Sequence, residues 1–226
     1  MHPVICDFPS KAFYGDALVA EGAARDSLLA LPHRIAPPYD RVLDPARPVV
    51  LIDTPLEPHE RGRKENQAQA LIARDLIRAL RAAGVAAEAI GVIAPYRAQV
   101  AAIRAKLAAS GETDVLVDTV DRFQGGERSV IVYSFGGGGA AAWGGRGPDF
   151  LADAHRLNVA LTRARHKLII LGSRAVLEEI PLLRQLVAYC ASLYGGHGGI
   201  IPARRDRSAA RTYQAAPEAT PSDARR

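Results

Sequence analysis

The chain has 226 residues, 48% hydrophobic and 23% charged, which is enough for one ordinary globular domain with a sizeable core. No apolar run approaches the roughly 18 residues that a membrane helix needs, and the N-terminus has no secretory signal, so we expect no membrane partner. The net charge is +5, but residues 196–226 hold six arginines against three acids, so +3 of it lies there and the charge is weak evidence for a nucleic-acid partner.

The predicted elements begin only after an arm over residues 1–48, where seven prolines indicate irregular structure. Short apolar or β-branched runs predict strands over 49–52, 90–94, 115–120, 129–135 and 167–171. Helical spacing of apolar residues predicts helices over 64–83, 97–109, 150–165 and 175–188. A glycine-rich loop covers 136–148, and the Gly-, Ala-, Arg- and Pro-rich residues 195–226 predict a disordered basic tail.

Strands that alternate with helices predict an α/β domain over residues 49–190, with a mostly parallel sheet between two helical layers. Ligands of such sheets gather at the carboxyl ends of the strands, and we expect the polar candidate segments to lie there or on the helices just beyond. Cys6 and Cys190 are far apart in sequence and belong to no Cys/His cluster, which predicts reduced thiols in a cytoplasmic protein.

Two common phosphate-binding patterns are missing or weak. The P-loop pattern G-x-x-x-x-G-K-[ST] does not occur. Asp53 ends an apolar run, as a magnesium-binding acid would, but a lone Asp after a strand is common in turns. Gly136, Gly138 and Ala141 satisfy G-x-G-x-x-A, yet in a Gly/Ala tract this match is nearly trivial, and a flexible loop is the better interpretation.

Arg156 and Arg163 are seven residues apart, almost two helical turns, which places both on one face of the predicted helix. Two guanidiniums there could clamp a polyphosphate and offset the charge that develops during its cleavage. The alternative is a solvated helix face with ordinary surface arginines.

Gln124-Gly125-Gly126-Glu127 directly precedes a predicted strand. The glycines would leave backbone N–H groups open to a ligand, and Glu127 could accept hydrogen bonds from ribose hydroxyls. The alternative is a tight turn with a polar tip. Tyr96 beside Arg97 suits stacking on a single-stranded nucleic acid, or else marks a helix start packed on the sheet.

Four segments, in order along the chain, resemble motifs of one family. They are MHPVICDFPSKAFYGDAL (1–18), IGVIAPYRAQV (90–100), VDTVDRFQGGE (117–127) and RLNVALTRAR (156–165). They are similar to the segment after the family's Gln-Tyr-Arg and to motifs IV, V and VI of the second RecA-like domain of superfamily 1 helicases, in the Upf-like group. The resemblance covers most of residues 1–190 and implies a three-layer α/β/α fold of the P-loop-NTPase type that lacks its own P-loop.

The resemblance implies roles at the nucleotide. Arg163 would be the arginine finger on the γ-phosphate of ATP, and Glu127 would bind the ribose. Gln124 would link the nucleotide state to the nucleic acid, and Gly125 would allow close approach of the backbone.

The resemblance also implies a nucleic-acid track. Arg156 and Asn158 would support the helix that carries the finger. Pro95, Tyr96 and Thr119 would touch a single strand of DNA or RNA, mainly along its backbone.

Three features depart from the family pattern. Gly126 stands where the family often has Arg, and Gln69 where it often has Glu. The chain starts at the Met of the family's Gln-Tyr-Arg-Met-His-Pro, so the preceding Tyr and Arg, and the first RecA-like domain with its P-loop and magnesium-binding carboxylates, are outside this sequence.

The resemblance therefore implies the C-terminal half of an ATP-dependent helicase, active only with a first RecA-like domain in cis or in trans. ATP would be the cofactor, with Mg²⁺ held by that first domain. We expect this chain alone not to hydrolyse ATP. A stand-alone nucleic-acid-binding or regulatory remnant is the alternative, and an unrelated doubly wound nucleotide-binding protein is a third.

Overall fold

The structure is a computed structural model that describes residues 1–22, 27–54, 56, 60, 62–123, 126–137, 153–195 and 198–203. Its centre is a sheet of six parallel strands in the spatial order β3-β2-β4-β5-β1-β6. The strands are β1 (Val49–Asp53), β2 (Ile90–Ala94), β3 (Leu116–Thr119), β4 (Arg128–Ser134), β5 (Ala164–Gly172) and β6 (Ile200–Pro202). The inner strands are apolar runs because both faces of a parallel sheet are covered by helices.

The α-helices of the described residues form the two outer layers. They are α1 (Pro3–Phe13), α2 (Asp40–Leu43), α3 (Gln67–Ala82), α4 (Arg97–Ala108), α5 (Ala154–Thr162), α6 (Arg174–Leu177) and α7 (Pro181–Ser192). Buried residues of α2, α3 and α4 pack on one face of the sheet, and those of α1, α5, α6 and α7 pack on the other. This arrangement confirms the predicted three-layer α/β/α fold of the RecA-like type.

The predicted irregular arm over 1–48 is wrong at its start, because residues 3–13 form α1. The His2 imidazole accepts a hydrogen bond from the Val4 amide and caps the helix, and Pro3 occupies the first turn, where its missing N–H costs nothing. Ile5 and Phe8 then bury one face in the core. Pro3 therefore marks a helix start, and the helix also accommodates Pro9 in its interior.

Two further predictions need correction. Residues 175–188 were predicted as one helix, but α6 and α7 are separate, and Pro181 begins the second. The predicted disordered tail begins too early, because β6 extends the sheet by pairing with β1. The residues beyond 203, and most of the predicted glycine-rich loop, lie outside the described residues. Both cysteines are buried and unpaired, as their separation in sequence predicts.

A buried amide joins the layers at the carboxyl ends of β1 and β4. Gln69 is fully buried, and its Nε2 donates to Thr54 Oγ1 at 3.0 Å and to the Gly136 carbonyl at 2.9 Å. Its Oε1 accepts from Ser134 Oγ at 2.8 Å and from the Gly136 amide at 2.9 Å. Glutamine is required here because a carboxylate could not donate to the two oxygens, which gives a physical reason for this departure from the family pattern.

Lys167 on β5 is fully buried. Its ammonium donates to the carbonyl of Asp44 at 3.0 Å and to that of Arg47, and so holds the loop before β1 against the sheet. Burial disfavours the charged form and lowers the pKa of Lys167 to about 7 from its ordinary 10.5.

We expect this shift to make the free energy of unfolding depend on pH. The unfolded chain keeps the Lys167 proton up to the ordinary pKa, whereas the folded chain releases it above about pH 7. The unfolded state therefore binds more protons in this window, and the wild type gains up to about 1.4 kcal/mol per pH unit. Urea unfolding of wild type and Lys167→Met at pH 7.5 and 9 measures the difference. An identical pH dependence in the two proteins would contradict the shifted pKa.

Candidate nucleotide-binding and nucleic-acid-binding edges

The structure divides the predicted site residues between two opposite edges of the sheet. Pro95 and Thr119 lie at the carboxyl ends of β2 and β3, whereas Glu127 and Arg163 lie at the amino ends of β4 and β5. The expectation that the candidate segments lie at the carboxyl ends or on the helices just beyond is therefore wrong for Glu127, which directly precedes β4. The helix α5 runs back between the edges, with Arg156 near its start.

A small open cleft lies at the carboxyl edge. It is lined by Pro95, Thr119, Val120, Asp121, Tyr133, Asp153, Arg156 and Leu157. The Arg156 guanidinium contacts both carboxylate oxygens of Asp121 at 3.2 Å, and its Nε lies 3.8 Å from Asp153 Oδ2. Asp153 also caps α5 by accepting from the backbone amides of His155 and Arg156. Three of the predicted residues, Pro95, Thr119 and Arg156, thus line one cleft.

Tyr96 does not offer a free ring at this edge. Tyr96 is the residue before α4. Its side chain is 8% exposed and belongs to the same core cluster as residues of α5. The Lys64 ammonium lies 5.9 Å from the centroid of its ring. This position matches the alternative interpretation, a helix start packed on the sheet. Stacking of a base on Tyr96 would need the ring to leave that position.

The chain leaves β3 at the carboxyl edge and enters β4 at the amino edge, and residues 120–123, 126 and 127 are the described part of this connection. It begins with a short 3-10 helix, Val120–Phe123, which carries the buried Phe123 over the face of β2. A Cβ on Gly91 would lie 2.5 Å from the end of the Phe123 ring, so this crossing requires glycine at position 91. Gln124 and Gly125, predicted for coupling and for close backbone approach, lie outside the described residues.

At the amino edge, Arg163 follows the last turn of α5 and precedes β5. Its Nε donates to the Val159 carbonyl at 3.1 Å, and an Nη lies 3.5 Å from Thr162 Oγ1. Within the described ranges the half-buried guanidinium forms no ion pair with a carboxylate. Glu127 is exposed, and its carboxylate lies 3.9 Å from the Arg165 guanidinium.

Arg156 and Arg163 do not form one clamp. Seven residues of helix place them about 10 Å apart along the axis of α5. Arg156 is engaged by Asp121 and Asp153 at the carboxyl edge, while Arg163 turns back on the last turn of the helix. The hypothesis of two arginines on one polyphosphate is therefore not supported by their positions.

Asn158 connects α5 to α1. Its Nδ2 donates to the Tyr14 hydroxyl at 2.7 Å, and its buried Oδ1 has no hydrogen-bond partner among the residues that the structure describes. The contact links the middle of α5 to the end of α1, and the supporting role of Asn158 stays a prediction.

Sequence reasoning missed Arg128. The backbone N–H of Arg128 donates to the Arg163 carbonyl at 2.9 Å, and its Nη1 donates to the Glu127 carbonyl at 2.9 Å. The three heavy atoms nearest to a Cβ built on Gly126 all belong to the Arg128 guanidinium. The only signal in the sequence is that Arg128 directly follows Glu127.

No three His, Cys, Asp or Glu side chains of the described residues are grouped so that they could hold a metal ion. None of the helices in the described ranges is long and apolar enough to cross a membrane.

The comparisons with known proteins agree on one family. The model of a family described as "AAA domain" matches residues 1–175, more than half of the chain. The chain belongs to this family. Relatives that are named as helicases are among its matches, which confirms the resemblance to this family.

Curated relatives of this AAA-domain chain include three proteins from different organisms. It is 39% identical over 155 residues to the DNA replication ATP-dependent helicase/nuclease DNA2 of Xenopus tropicalis, covering 67% of this chain and 14% of that protein. It is 33% identical over 189 residues to the DNA polymerase alpha-associated DNA helicase A of Saccharomyces cerevisiae, covering 79% and 27%. It is 31% identical over 204 residues to a regulator of nonsense transcripts 1 homolog of Arabidopsis thaliana, covering 84% and 15%.

The AAA-domain chain spans less than a third of the length of these relatives. Among solved structures, it is similar to the C-terminal domain of a possible DNA helicase from Lactobacillus plantarum. That match has a TM-score of 0.46 and 14% identity, and it covers 88% of this chain and 94% of the other.

Proposed function

We propose that this chain is the C-terminal half of an ATP-dependent DNA or RNA helicase and supplies the arginine finger, a ribose contact and part of the single-strand track. The observation that carries the proposal is Arg163, whose half-buried guanidinium forms no ion pair with a described carboxylate at the amino edge of the sheet. A cation in that state suits an anionic partner from outside the domain.

The residues at the amino edge fit ATP. The guanidinium of Arg163 would contact the γ-phosphate, and the exposed carboxylate of Glu127 would accept hydrogen bonds from the ribose. Gln124 and Gly125 would complete this contact, although they lie outside the described residues. A first RecA-like domain, in cis or in trans, would contribute the P-loop and the carboxylates that hold Mg²⁺.

The carboxyl edge would face the nucleic acid. Pro95 and Thr119 line the cleft there, and Arg156 fixes the start of α5 beside it through Asp121. Contacts of this kind to the sugar–phosphate backbone carry no base specificity, which suits a protein that moves along a strand. Opening and closing of the cleft between the two domains would step them along that strand.

Complementation in trans tests the proposal. We expect negligible ATPase from the pure 226-residue chain, and ATPase stimulated by single-stranded DNA or RNA when a P-loop-containing first domain from a relative is added at excess. A malachite-green phosphate assay measures both. Robust turnover by the chain alone would contradict the proposal that it supplies only one half of the ATP site.

The same mixture distinguishes the helicase from the alternative function, a nucleic-acid-binding remnant. A nucleic-acid-binding remnant would bind a fluorescent single strand in a salt-dependent way, with no effect of ATP or of the first domain. That outcome, without any complemented ATPase, would favour the remnant over the helicase.

A further inference from the structure

We propose that the side chain of Arg128 is a positioning group that restrains the Glu127 peptide, beside a backbone hydrogen bond from Arg128 to Arg163, so that recognition of the ribose and contact with the γ-phosphate occur together. The inference rests on the proposed function, since it concerns the same nucleotide edge. It assigns a role to a side chain that lies beside the predicted site residues.

Arg128 is bonded to both partners. Its backbone N–H donates to the carbonyl of Arg163, which joins the start of β4 to the end of α5. Its side-chain Nη1 donates to the carbonyl of Glu127 and so restrains the peptide that carries the ribose carboxylate. A single residue therefore fixes the backbone on both sides of the predicted contact with ATP.

Phe123 and two glycines restrict the position of the Arg128 side chain. It lies 5.8 Å from the centroid of the Phe123 ring, and its Nη1 lies 3.3 Å from the place that a Cβ on Gly126 would occupy. The stem of Arg128 is also close to Gly91, where a Cβ would lie 3.2 Å from Cγ. Glycines at 91 and 126 thus leave the space in which this side chain is held.

Stability alone does not account for an arginine here. Its Nε is buried and makes no hydrogen bond with the described residues, and the guanidinium has no carboxylate partner among them. Burying such a group costs free energy that an apolar side chain on Phe123 would avoid. The planar fork, however, can bond a carbonyl while it stacks on a ring, which a lysine cannot do equally well.

The test measures discrimination between ATP and 2′-deoxy-ATP in the complemented ATPase mixture. If Glu127 binds the ribose, KM for deoxy-ATP exceeds KM for ATP by about tenfold in the wild type. Arg128→Ala is expected to bring the ratio close to one while its thermal unfolding stays near that of the wild type. Arg128→Lys, which keeps the charge and one donor, is expected to give an intermediate ratio. Arg122→Ala, an exposed arginine on the same segment, is the matched control and should keep the wild-type ratio.

The outcomes distinguish a failure of the role proposed for Arg128 from a failure of the ribose contact of Glu127. A wild-type ratio in Arg128→Ala, together with a ratio near one in Glu127→Ala, would overturn the role of Arg128 and leave the ribose contact standing. A wild-type ratio in Glu127→Ala would overturn the ribose contact and the role of Arg128 together. If Arg128→Ala does not fold, an unchanged ratio in the folded Arg128→Lys would equally overturn the proposal.

Discussion

Arg163→Ala is expected to lower the complemented ATPase rate by about 10³-fold or more, because an arginine finger stabilises the charge that develops as the γ-phosphate is transferred. The loss should fall mainly on kcat, since the contact strengthens in the transition state. Arg163→Lys should be nearly as inactive, because a point charge does not reproduce the planar fork. Steady-state phosphate release over a range of ATP concentrations separates kcat from KM.

Arg184→Ala is the matched control for the finger. Arg184 is an exposed arginine on α7, where its Nε donates to the Glu178 carbonyl, and it takes no part in either proposed edge. The Arg184→Ala variant should retain the wild-type ATPase rate. If Arg163→Ala restores ATPase as well as the wild type does, the finger assignment is wrong.

Gln69→Leu is expected to lower the free energy of unfolding by about 3 kcal/mol or more. The substitution removes the Gln69 partner of the Gly136 amide, the Gly136 carbonyl and the Thr54 hydroxyl in a buried place, and it leaves the Ser134 hydroxyl with only its bond from Gln99. Gln67→Leu, an exposed glutamine on the same helix, should change the free energy by less than about 0.5 kcal/mol. Urea unfolding followed by circular dichroism measures both, and equal effects would contradict the network.

Gln69→Glu adds a test of the donor requirement. The ionised carboxylate would face the carbonyl oxygen of Gly136 and could not donate to it, so burial and this oxygen would raise the pKa of the new carboxyl in the folded state. The variant should then be most stable at acid pH, relative to the wild type, and lose stability as pH rises through that pKa. A constant difference between the two proteins from pH 4 to 8 would contradict this.

The sequence predicted the layers of the fold well because the evidence for them is local. The run over 90–94 is apolar at every position, and it forms β2 within the bounds predicted for it. The helix α1 was missed because prolines were counted as breakers, whereas their effect depends on position within a helix. The short strand β6 exists only through its pairing with β1, which periodicity cannot reveal.

The site was less predictable because it depends on where segments cross the sheet. The residue types of Glu127 and Arg163 indicated nucleotide chemistry. Their place at the amino edge of the sheet, however, depends on where the chain enters β4 and β5. Arg128 carried no distinctive pattern, and its contacts arise only when Phe123 and Gly91 meet. By residue type, Tyr96 suited either base stacking or a helix start packed on the sheet, and only the structure shows that its ring lies in the core.

The helix α5 also sets how stiffly the two edges are joined. Its nine residues, Ala154–Thr162, reach about 14 Å along the helix axis. Asp153 caps its start beside the cleft at the carboxyl edge, and Arg163 follows its end at the amino edge. A helix of this length moves largely as one body, so a strand that shifts the start of α5 would displace Arg163 as well.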